Sequence, residues 1–208
     1  MSATPVRAVL FDLGNVVIDV DFARVLAAWQ PASRLESEAL RRAFGADAPY
    51  RDHETGALAA AGYFAHLRAQ LQLDCPDDAM QAGWNAIFGA PIAPTLALID
   101  AIDPRVQRHA LSNTNAVHMA WMEREIPEVL ARFGQVFASH AIGHRKPQAA
   151  AFRHVLDTLG LAPGEVLFFD DTPENIDGAR RCGIAAVLVR SPEDVRRGLV
   201  NAGVLAAR

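Results

Sequence analysis

Four short apolar runs constrain the fold of this chain more than any other feature. Each is rich in valine, isoleucine, leucine or phenylalanine and ends in small or polar residues; the runs cover 6–11, 106–111, 166–169 and 184–189. Continuous apolar runs of this length are typical of parallel strands that are buried on both faces of a sheet. A weaker run at 135–139 predicts a fifth strand.

Helical stretches separate these runs. They cover 94–101, 117–131, 147–159, 173–182 and 192–202, and four of them have a proline near the start. Proline favours the first turn of a helix, and glycine favours the position after its last turn, as at Gly160 and Gly183. Because strand and helix alternate, the sequence predicts an α/β fold with a doubly wound, Rossmann-like parallel sheet.

The segment between the first two strong runs departs from this alternation. It contains four stretches with apolar residues at helical spacing, 22–29, 35–44, 58–71 and 77–88, and we expect no strand among them. We therefore predict two units. An α/β core is formed by 1–19 and 91–208, and a small helical cap, 20–90, is inserted after the first strand.

Polar residues follow the predicted strands where these end. In an open α/β sheet the carboxyl ends of the strands form the ligand site, so these residues are candidates for chemistry. For any one of them alone, a role as helix cap or turn former is the simpler interpretation. The candidates are Asp12, the Ser112–Asn113 pair that opens the segment 112–115, Lys146 and the Asp170–Asp171 pair.

Three carboxylates at one edge of a sheet repel one another. The repulsion amounts to about 4 kcal/mol per pair at 4 Å if the effective dielectric constant is near 20, so a cation is needed to hold them together. Oxygen ligands of this kind select Mg²⁺. With the metal and Lys146 neutralising a phosphate, Asp12 could attack phosphorus as a nucleophile, while the Ser112 hydroxyl grips the phosphoryl oxygens.

Charge and composition narrow the class of protein. Lys146 is the only lysine, the arginines are scattered, and the net charge is −4, so a nucleic-acid binder is not expected. No apolar run is long enough to cross a membrane, and the N-terminus lacks the pattern of a signal peptide. Cys75 and Cys182 show no metal-ligand spacing, which favours a reducing, cytoplasmic location. Nothing demands a dimer, so we expect a monomer.

Four motifs occur in an order that resembles the haloacid dehalogenase superfamily. They are FDLGNVV, LSNTN, RKP and FFDDTPEN, and the resemblance covers the whole chain, including the cap. The residues of the four motifs are most similar to those of a bacterial subgroup that includes an α-D-glucose-1-phosphate phosphatase. The resemblance implies that Asp12 is the nucleophile. It also implies Mg²⁺ ligands at Asp12, the Gly14 carbonyl, Asp170 and Asp171, phosphate contacts at Ser112 and Asn113, and a catalytic cation at Lys146.

One position departs from the pattern of that superfamily. Its phosphatases usually carry a second aspartate two residues after the nucleophile as general acid and base, and here that position is Gly14. Loss of such a group typically costs about 10²–10⁴ in rate. This would favour a substrate with a good leaving group, such as a sugar 1-phosphate. A water molecule, Asn15, His53 or Glu54 could replace the missing acid, and the sequence does not choose among them.

The cap is expected to cover the strand ends, exclude water and choose the substrate. Its candidate specificity segment is 50–56, which we interpret as a polar turn before an apolar helix; helix capping by Thr55 or Glu54 is an equal alternative. We interpret Trp29, Trp84 and Phe88 as core residues rather than a sugar-stacking surface.

Three functions are compatible with these residues. The leading one is a Mg²⁺-dependent phosphatase that acts on a small phosphorylated metabolite, most plausibly a sugar phosphate. A metal-independent 2-haloacid dehalogenase would tolerate Gly14, but it gains nothing from two further carboxylates. A non-catalytic binding module would explain Gly14 but not the presence of Asp12, Lys146 and the Asp170–Asp171 pair.

Overall fold

The computed structural model describes residues 5–205, so residues 1–4 and 206–208 at the ends of the predicted core lie outside the described part. In chain order the strands are β1 (Ala8–Phe11), β2 (Ile18–Val20), β3 (Phe88–Pro91), β4 (Gln107–Ser112), β5 (Gln135–Ala138), β6 (Val166–Asp170) and β7 (Ala185–Leu188).

The helices alternate with the strands after β3 and occur together before it. They are α1 (Phe22–Trp29), α2 (Ser37–Ala43), α3 (Ala48–Glu54), α4 (Ala60–Leu71), α5 (Asp77–Asn85), α6 (Ala93–Asp100), α7 (Ala116–Glu125), α8 (Pro127–Leu130), α9 (Ser139–Ile142), α10 (Ala149–Leu159), α11 (Pro173–Arg181) and α12 (Pro192–Asn201).

Five parallel strands form the central sheet in the order β5-β4-β1-β6-β7. Phe11 of β1 is paired with Ala110 of β4 on one side and with Phe169 of β6 on the other. The strand order reverses at β1, and a crevice opens outside the carboxyl ends of the strands at such a point. The predicted α/β fold with a doubly wound parallel sheet is confirmed, and the five predicted strands are all present.

Alternate residues of the central strands face two separate cores. Val9 and Phe11 of β1 pack into one apolar cluster, with residues of α6, α7, α8 and α12. Ala8 and Leu10 pack into a second cluster on the opposite face, with residues of α10 and α11. Because both faces are covered, the strand has no polar position until it ends at Asp12.

The helices α1–α5 surround a third apolar cluster. At its centre the indole rings of Trp29 and Trp84 stack with centroids 5.9 Å apart, and both side chains are buried. Gly83 is needed for the close approach of α5 to α1, because a Cβ there would lie 2.1 Å from Nε1 of Trp29. These contacts agree with the interpretation of both tryptophans as packing residues.

The structure corrects three details of the predicted secondary structure. The segment 20–90 was expected to lack strands, but β2 and β3 pair antiparallel at its two ends. The segment 50–56 was expected to be a polar turn, but most of it belongs to α3, which begins after Asp47 accepts a hydrogen bond from the Tyr50 N–H. The predicted helix 117–131 is broken at Ile126, because Pro127 cannot continue the helix before it.

Within residues 5–205 no helix combines the length and the apolar character needed to cross a membrane.

Candidate active site

The predicted site residues meet at the carboxyl ends of β1, β4 and β6. Asp12 follows β1 directly, and its N–H donates to the carbonyl of Phe169 at 2.8 Å, which continues the parallel register with β6. Asp170 is the last residue of β6, and Ser112 is the last residue of β4. The sheet itself therefore places the first and fourth motifs side by side.

Lys146 joins the first and fourth motifs. Its Nζ lies 2.9 Å from Oδ1 of Asp12 and 2.6 Å from Oδ2 of Asp170, and the side chain is 1% exposed. Burial alone would lower the pKa of Lys146, but the two carboxylates raise it above its usual value, so the ammonium stays charged. Burial raises the pKa of Asp12, as do Asp170 and Asp171, and Lys146 opposes this rise.

Asp170 is completely buried, and protein donors surround its carboxylate. Oδ1 accepts from the Thr172 N–H at 2.8 Å and from Nδ2 of Asn175 at 3.0 Å. Oδ2 accepts from Nζ of Lys146, and Nδ2 of Asn175 lies 3.1 Å from it as well. Asp170 is thus held rigidly and in turn fixes the position of the Lys146 ammonium.

Asp171 is half-buried and has fewer protein partners. Oδ1 accepts from the Thr172 hydroxyl at 3.2 Å. Asp12, Asp170 and Asp171 can each offer one carboxylate oxygen such that the three oxygens lie within 4.8 Å of one another. A set of hard oxygen donors at this spacing suits a small divalent cation such as Mg²⁺. Gly14 borders the same cavity as Asp12.

Some of the residues at the carboxyl end of β4 line the site, and others hold the surrounding backbone in place. Ser112 lines the cavity beside Asp12. Asn113 lines it as well, but its amide group is bound to the Lys146 backbone: Nδ2 donates to the carbonyl at 2.9 Å, and Oδ1 accepts from the N–H at 2.8 Å. Asn115 accepts from the His118 N–H and is the N-cap of α7, the structural role considered for residues of this kind.

Two neighbouring cavities with shared lining residues lie between the α/β core and the helices α3 and α1. The inner one has a volume of about 100 Å³ and the outer one about 390 Å³. Both are bordered by the same residues at their junction: Asp12, Gly14, Val20, Phe22, Tyr50, Glu54 and Asn113. Phe88 lines the inner cavity as part of its apolar wall, so it is not only a core residue.

The three protein groups considered as replacements for the missing acid differ in position. Asn15 is exposed, has a φ of 54°, and its Oδ1 accepts from the Val20 N–H, so it shapes the turn after β1. The ring of His53 stacks on Tyr63 at 4.6 Å, and its Nδ1 lies 3.0 Å from the Leu58 carbonyl. His53 and Glu54 are both buried, but only Glu54 lines both cavities, and His53 lines neither.

Sequence reasoning missed two residues of this site. Asn175, in the first turn of α11, holds both oxygens of Asp170. Its signal was present in the FFDDTPEN motif, five residues after the aspartate that it holds. Arg145 is the first residue of the RKP motif, but its ion pair with Glu54 of α3 depends on tertiary contacts that have no sequence pattern.

A family model described as haloacid dehalogenase-like hydrolase matches residues 6–183. Among curated proteins, a D-ribitol-5-phosphate phosphatase from Bacteroides thetaiotaomicron is 21% identical over 199 residues, which span 93% of this chain and 97% of that protein. An enolase-phosphatase E1 from Sorangium cellulosum is 25% identical over 94% of this chain and 93% of its own length.

Solved structures show the same fold. A haloacid dehalogenase family enzyme from Bacteroides thetaiotaomicron, in complex with magnesium and inorganic phosphate, superimposes with a TM-score of 0.78 and 24% identity. The match covers 89% of this chain and 94% of that enzyme.

Proposed function

This chain belongs to the haloacid dehalogenase-like hydrolase family, and we propose that it is a Mg²⁺-dependent phosphatase that hydrolyses a small sugar phosphate through an aspartyl-phosphate. The proposal starts from the hydrolase class of this chain and from the phosphatases among its relatives. The metal, the substrate class and the roles of individual residues are the proposal.

The contact of one buried ammonium with two carboxylates carries this proposal. Nζ of Lys146 touches both Asp12 and Asp170, and Asp171 completes an acidic cluster around them. A dehalogenase needs no metal and gains nothing from the two further carboxylates, whereas phosphoryl transfer needs cations that neutralise the transferred group. The likeness to a structure that holds magnesium and inorganic phosphate supports the same assignment.

Each residue has a defined task in this mechanism. Oδ1 of Asp12 is held by Nζ of Lys146 and by the Leu13 N–H at 2.7 Å, so the carboxylate is fixed for in-line attack on phosphorus. Lys146 and the Ser112 hydroxyl bind the phosphoryl oxygens, and Asn113 keeps the Lys146 backbone in place. Asp12, the Gly14 carbonyl, Asp170 and Asp171 would hold the metal. When bound, Mg²⁺ neutralises charge on the phosphoryl group.

The size and walls of the cavities support a small, polar metabolite. The inner cavity of about 100 Å³ adjoins Asp12, and the outer one leads to the surface. The inner cavity combines polar side chains near Asp12 with an apolar wall that includes Phe22 and Phe88, as in most small-molecule sites. A sugar phosphate such as α-D-glucose 1-phosphate fits this description. A polyol phosphate of the kind named for the Bacteroides relative belongs in the same panel.

The test is release of phosphate from a panel of sugar and polyol phosphates, with Mg²⁺ and with EDTA, alongside a 2-haloacid. We expect phosphate release that EDTA suppresses and that Asp12→Asn abolishes in a folded protein. Phosphate release that persists in EDTA would disprove the metal. Halide release without metal would identify a dehalogenase, and an inactive protein across the panel would support a binding module.

We also place the protein in the cytoplasm as a monomer. Both Cys75 and Cys182 are free thiols, which is compatible with a reducing compartment. Gel filtration coupled to light scattering tests the monomer.

A further inference from the structure

A buried carboxyl group faces the reaction cavities from the cap side. Glu54, the last residue of α3, is 4% exposed and borders both cavities together with Asp12. Across the same space lies Gly14, which has no side chain to transfer a proton. Glu54 is therefore an acidic group that borders the same cavities as the position where an acid is missing.

One oxygen of Glu54 is paired with Arg145 by charge but lacks a well-directed hydrogen bond. Nε of Arg145 lies 2.7 Å from Oε2, but its N–H is not directed at that oxygen. Within residues 5–205, Oε2 is buried and has no hydrogen-bond partner. A buried polar atom without a partner costs free energy, and in a cavity wall this cost is removed when a ligand supplies the partner.

The geometry of α3 selects Glu54 over its neighbour. Successive residues of a helix point about 100° apart, and of these two only Glu54 lines the cavities. The His53 ring packs on Tyr63, and its Nδ1 lies against the Leu58 carbonyl. His53 therefore belongs to the packing of the cap, while Glu54 faces the substrate space.

The surroundings of Glu54 favour the protonated form more than water does. Burial raises the pKa of Glu54, whereas Arg145, the Tyr50 hydroxyl and Lys146 oppose this rise, and the net shift is upward. Arg145 and Lys146 approach Glu54 from the core, and Tyr50 lies on α3, the same helix as Glu54. The other ionisable groups that line the two cavities are Asp12, Asp171 and Glu174 of the core and His118 of α7.

We propose that Glu54 is the general acid and base of the reaction and reaches the substrate from the cap in place of the acid that is absent at Gly14. The inference rests on the proposed phosphatase function. It also assigns Arg145 as a positioning residue, because its ion pair links the core loop beside Lys146 to the carboxyl end of α3.

The proton balances over two steps. In the first, an oxygen of Asp12 bonds to phosphorus, the bond from phosphorus to the leaving oxygen breaks, and that oxygen takes the proton of the Glu54 carboxyl group. In the second, the Glu54 carboxylate removes a proton from water as the water oxygen bonds to phosphorus. The bond from phosphorus to Asp12 breaks, and free aspartate, inorganic phosphate and protonated Glu54 remain.

The test uses two substrates that differ in their need for a proton. The alcohol of an alkyl phosphate, such as a sugar or polyol phosphate, leaves poorly as an alkoxide, whereas p-nitrophenolate leaves without protonation. In Glu54→Gln we expect kcat for the alkyl phosphate to fall by about 10²–10⁴. For p-nitrophenyl phosphate we expect the rate of p-nitrophenolate release in the first turnover to change by less than about fivefold, because general acid catalysis contributes little to departure of a good leaving group. Its steady-state kcat should fall, because hydrolysis of the aspartyl-phosphate needs Glu54 as the base for either substrate.

Three control variants make the outcome specific. Asp52→Asn removes an exposed carboxylate from the same helix and should leave both rates unchanged. Glu54→Asp keeps a carboxyl group on a shorter side chain and should show a smaller but still selective loss. His53→Asn removes the buried ionisable side chain next to Glu54, and any loss of rate should be the same for both leaving groups.

The two proposals fail in different ways. An equal loss of the first-turnover rate for both substrates in folded Glu54→Gln and Glu54→Asp proteins, or no loss at all, overturns the role of Glu54 while the phosphatase stands. Selective loss in His53→Asn rather than at Glu54 also overturns it. Turnover that survives in Asp12→Asn would instead overturn the proposed nucleophile and with it the phosphatase mechanism.

Discussion

The side-chain amide of Asn113 is bound to the backbone of Lys146 through both its donor and its acceptor, at 2.9 and 2.8 Å. Asn113 follows β4, and Lys146 lies in the connection between α9 and α10. This pair of hydrogen bonds fixes the chain from which the ammonium reaches Asp12 and Asp170. The cation is thus positioned from both ends, by the amide at its backbone and by two carboxylates at its Nζ.

Removal of that amide should impair catalysis by displacing Lys146. Asn113→Ala loses both hydrogen bonds, and Asn113→Asp keeps the acceptor but loses the donor. Buried hydrogen bonds of this kind contribute about 1–3 kcal/mol, so we expect kcat to fall about 10- to 100-fold in Asn113→Ala and less in Asn113→Asp. Steady-state rates of phosphate release measure this. Equal rates for wild type and Asn113→Ala would show that the pair does not position Lys146.

Replacement of Lys146 by arginine should be damaging although the charge is kept. The ammonium is 1% exposed and fits between two carboxylate oxygens at 2.9 and 2.6 Å, where a planar guanidinium has no space. We expect a loss in kcat of at least about 100-fold, equivalent to about 3 kcal/mol. Near-normal turnover of Lys146→Arg would mean that the single lysine of this arginine-rich chain is a compositional accident.

The two adjacent aspartates should respond differently to neutralisation. Asp170 is buried among Lys146, Asn175 and the Thr172 N–H, so Asp170→Asn should lower the free energy of unfolding by about 3 kcal/mol. Asp171 is half-buried, so Asp171→Asn should leave the free energy of unfolding nearly unchanged but abolish the rise in Tm on addition of Mg²⁺. Thermal unfolding with and without Mg²⁺ measures both effects. The reverse pattern would contradict the division of roles.

His118 should make the protein less stable in mild acid. Burial lowers the pKa of His118 to about 3, and its neutral ring contacts the Trp84 carbonyl at 3.2 Å and Asn115 Nδ2 at 3.0 Å. Below the unfolded pKa of 6.5, the unfolded chain binds a proton that the folded chain does not. The free energy of unfolding should therefore fall by about 1.4 kcal/mol between pH 7.5 and pH 5.5 from this group alone.

His118→Gln is the reference for that measurement, because the other histidines titrate alike in both proteins. Urea unfolding at the two pH values gives the difference. If wild type and variant lose the same free energy of unfolding between these pH values, His118 is not the source.

A carboxyl group at position 14 should compensate for loss of Glu54. A Cβ at Gly14 would lie 3.6 Å from Cγ2 of Val20, an ordinary van der Waals distance, so the backbone accepts a side chain. We expect Gly14→Asp, added to Glu54→Gln, to restore turnover of an alkyl phosphate at least about tenfold, a fraction of a general acid's usual contribution. Gly14→Asn in the same background is the control, since it has the same shape and no acid.

The strands of the core were predictable because burial on both faces leaves continuous apolar runs, as at 6–11 and 166–169. The strands β2 and β3 were missed because they are three and four residues long, and Asp19 and Gly89 interrupt their apolar pattern. The break at Ile126 was visible in Pro127 but was overridden by apolar spacing on both sides.

The candidate residues of the core were brought together because parallel strands end at one edge. No comparable rule predicts which residues of the helices α1–α5 face the site. Whether His53 or Glu54 of α3 faces the cavities depends on how the helix is rotated against its neighbours, and both residues have the same local sequence context. Arg145, which pairs with Glu54, was likewise visible in the sequence only as a charge.

The pairing of β2 with β3 brings the two ends of the segment 21–87 next to each other. Val20 is paired with Phe88, so the chain leaves the core and returns to it one strand spacing apart, about 5 Å. We expect a helical segment whose ends meet at that distance to replace 21–87 without altering the order of the central sheet. If Asp12 and Glu54 have the proposed roles, the nucleophile would stay in the core while the proton donor changed with the replaced segment, and the leaving-group preference of the protein would change with it.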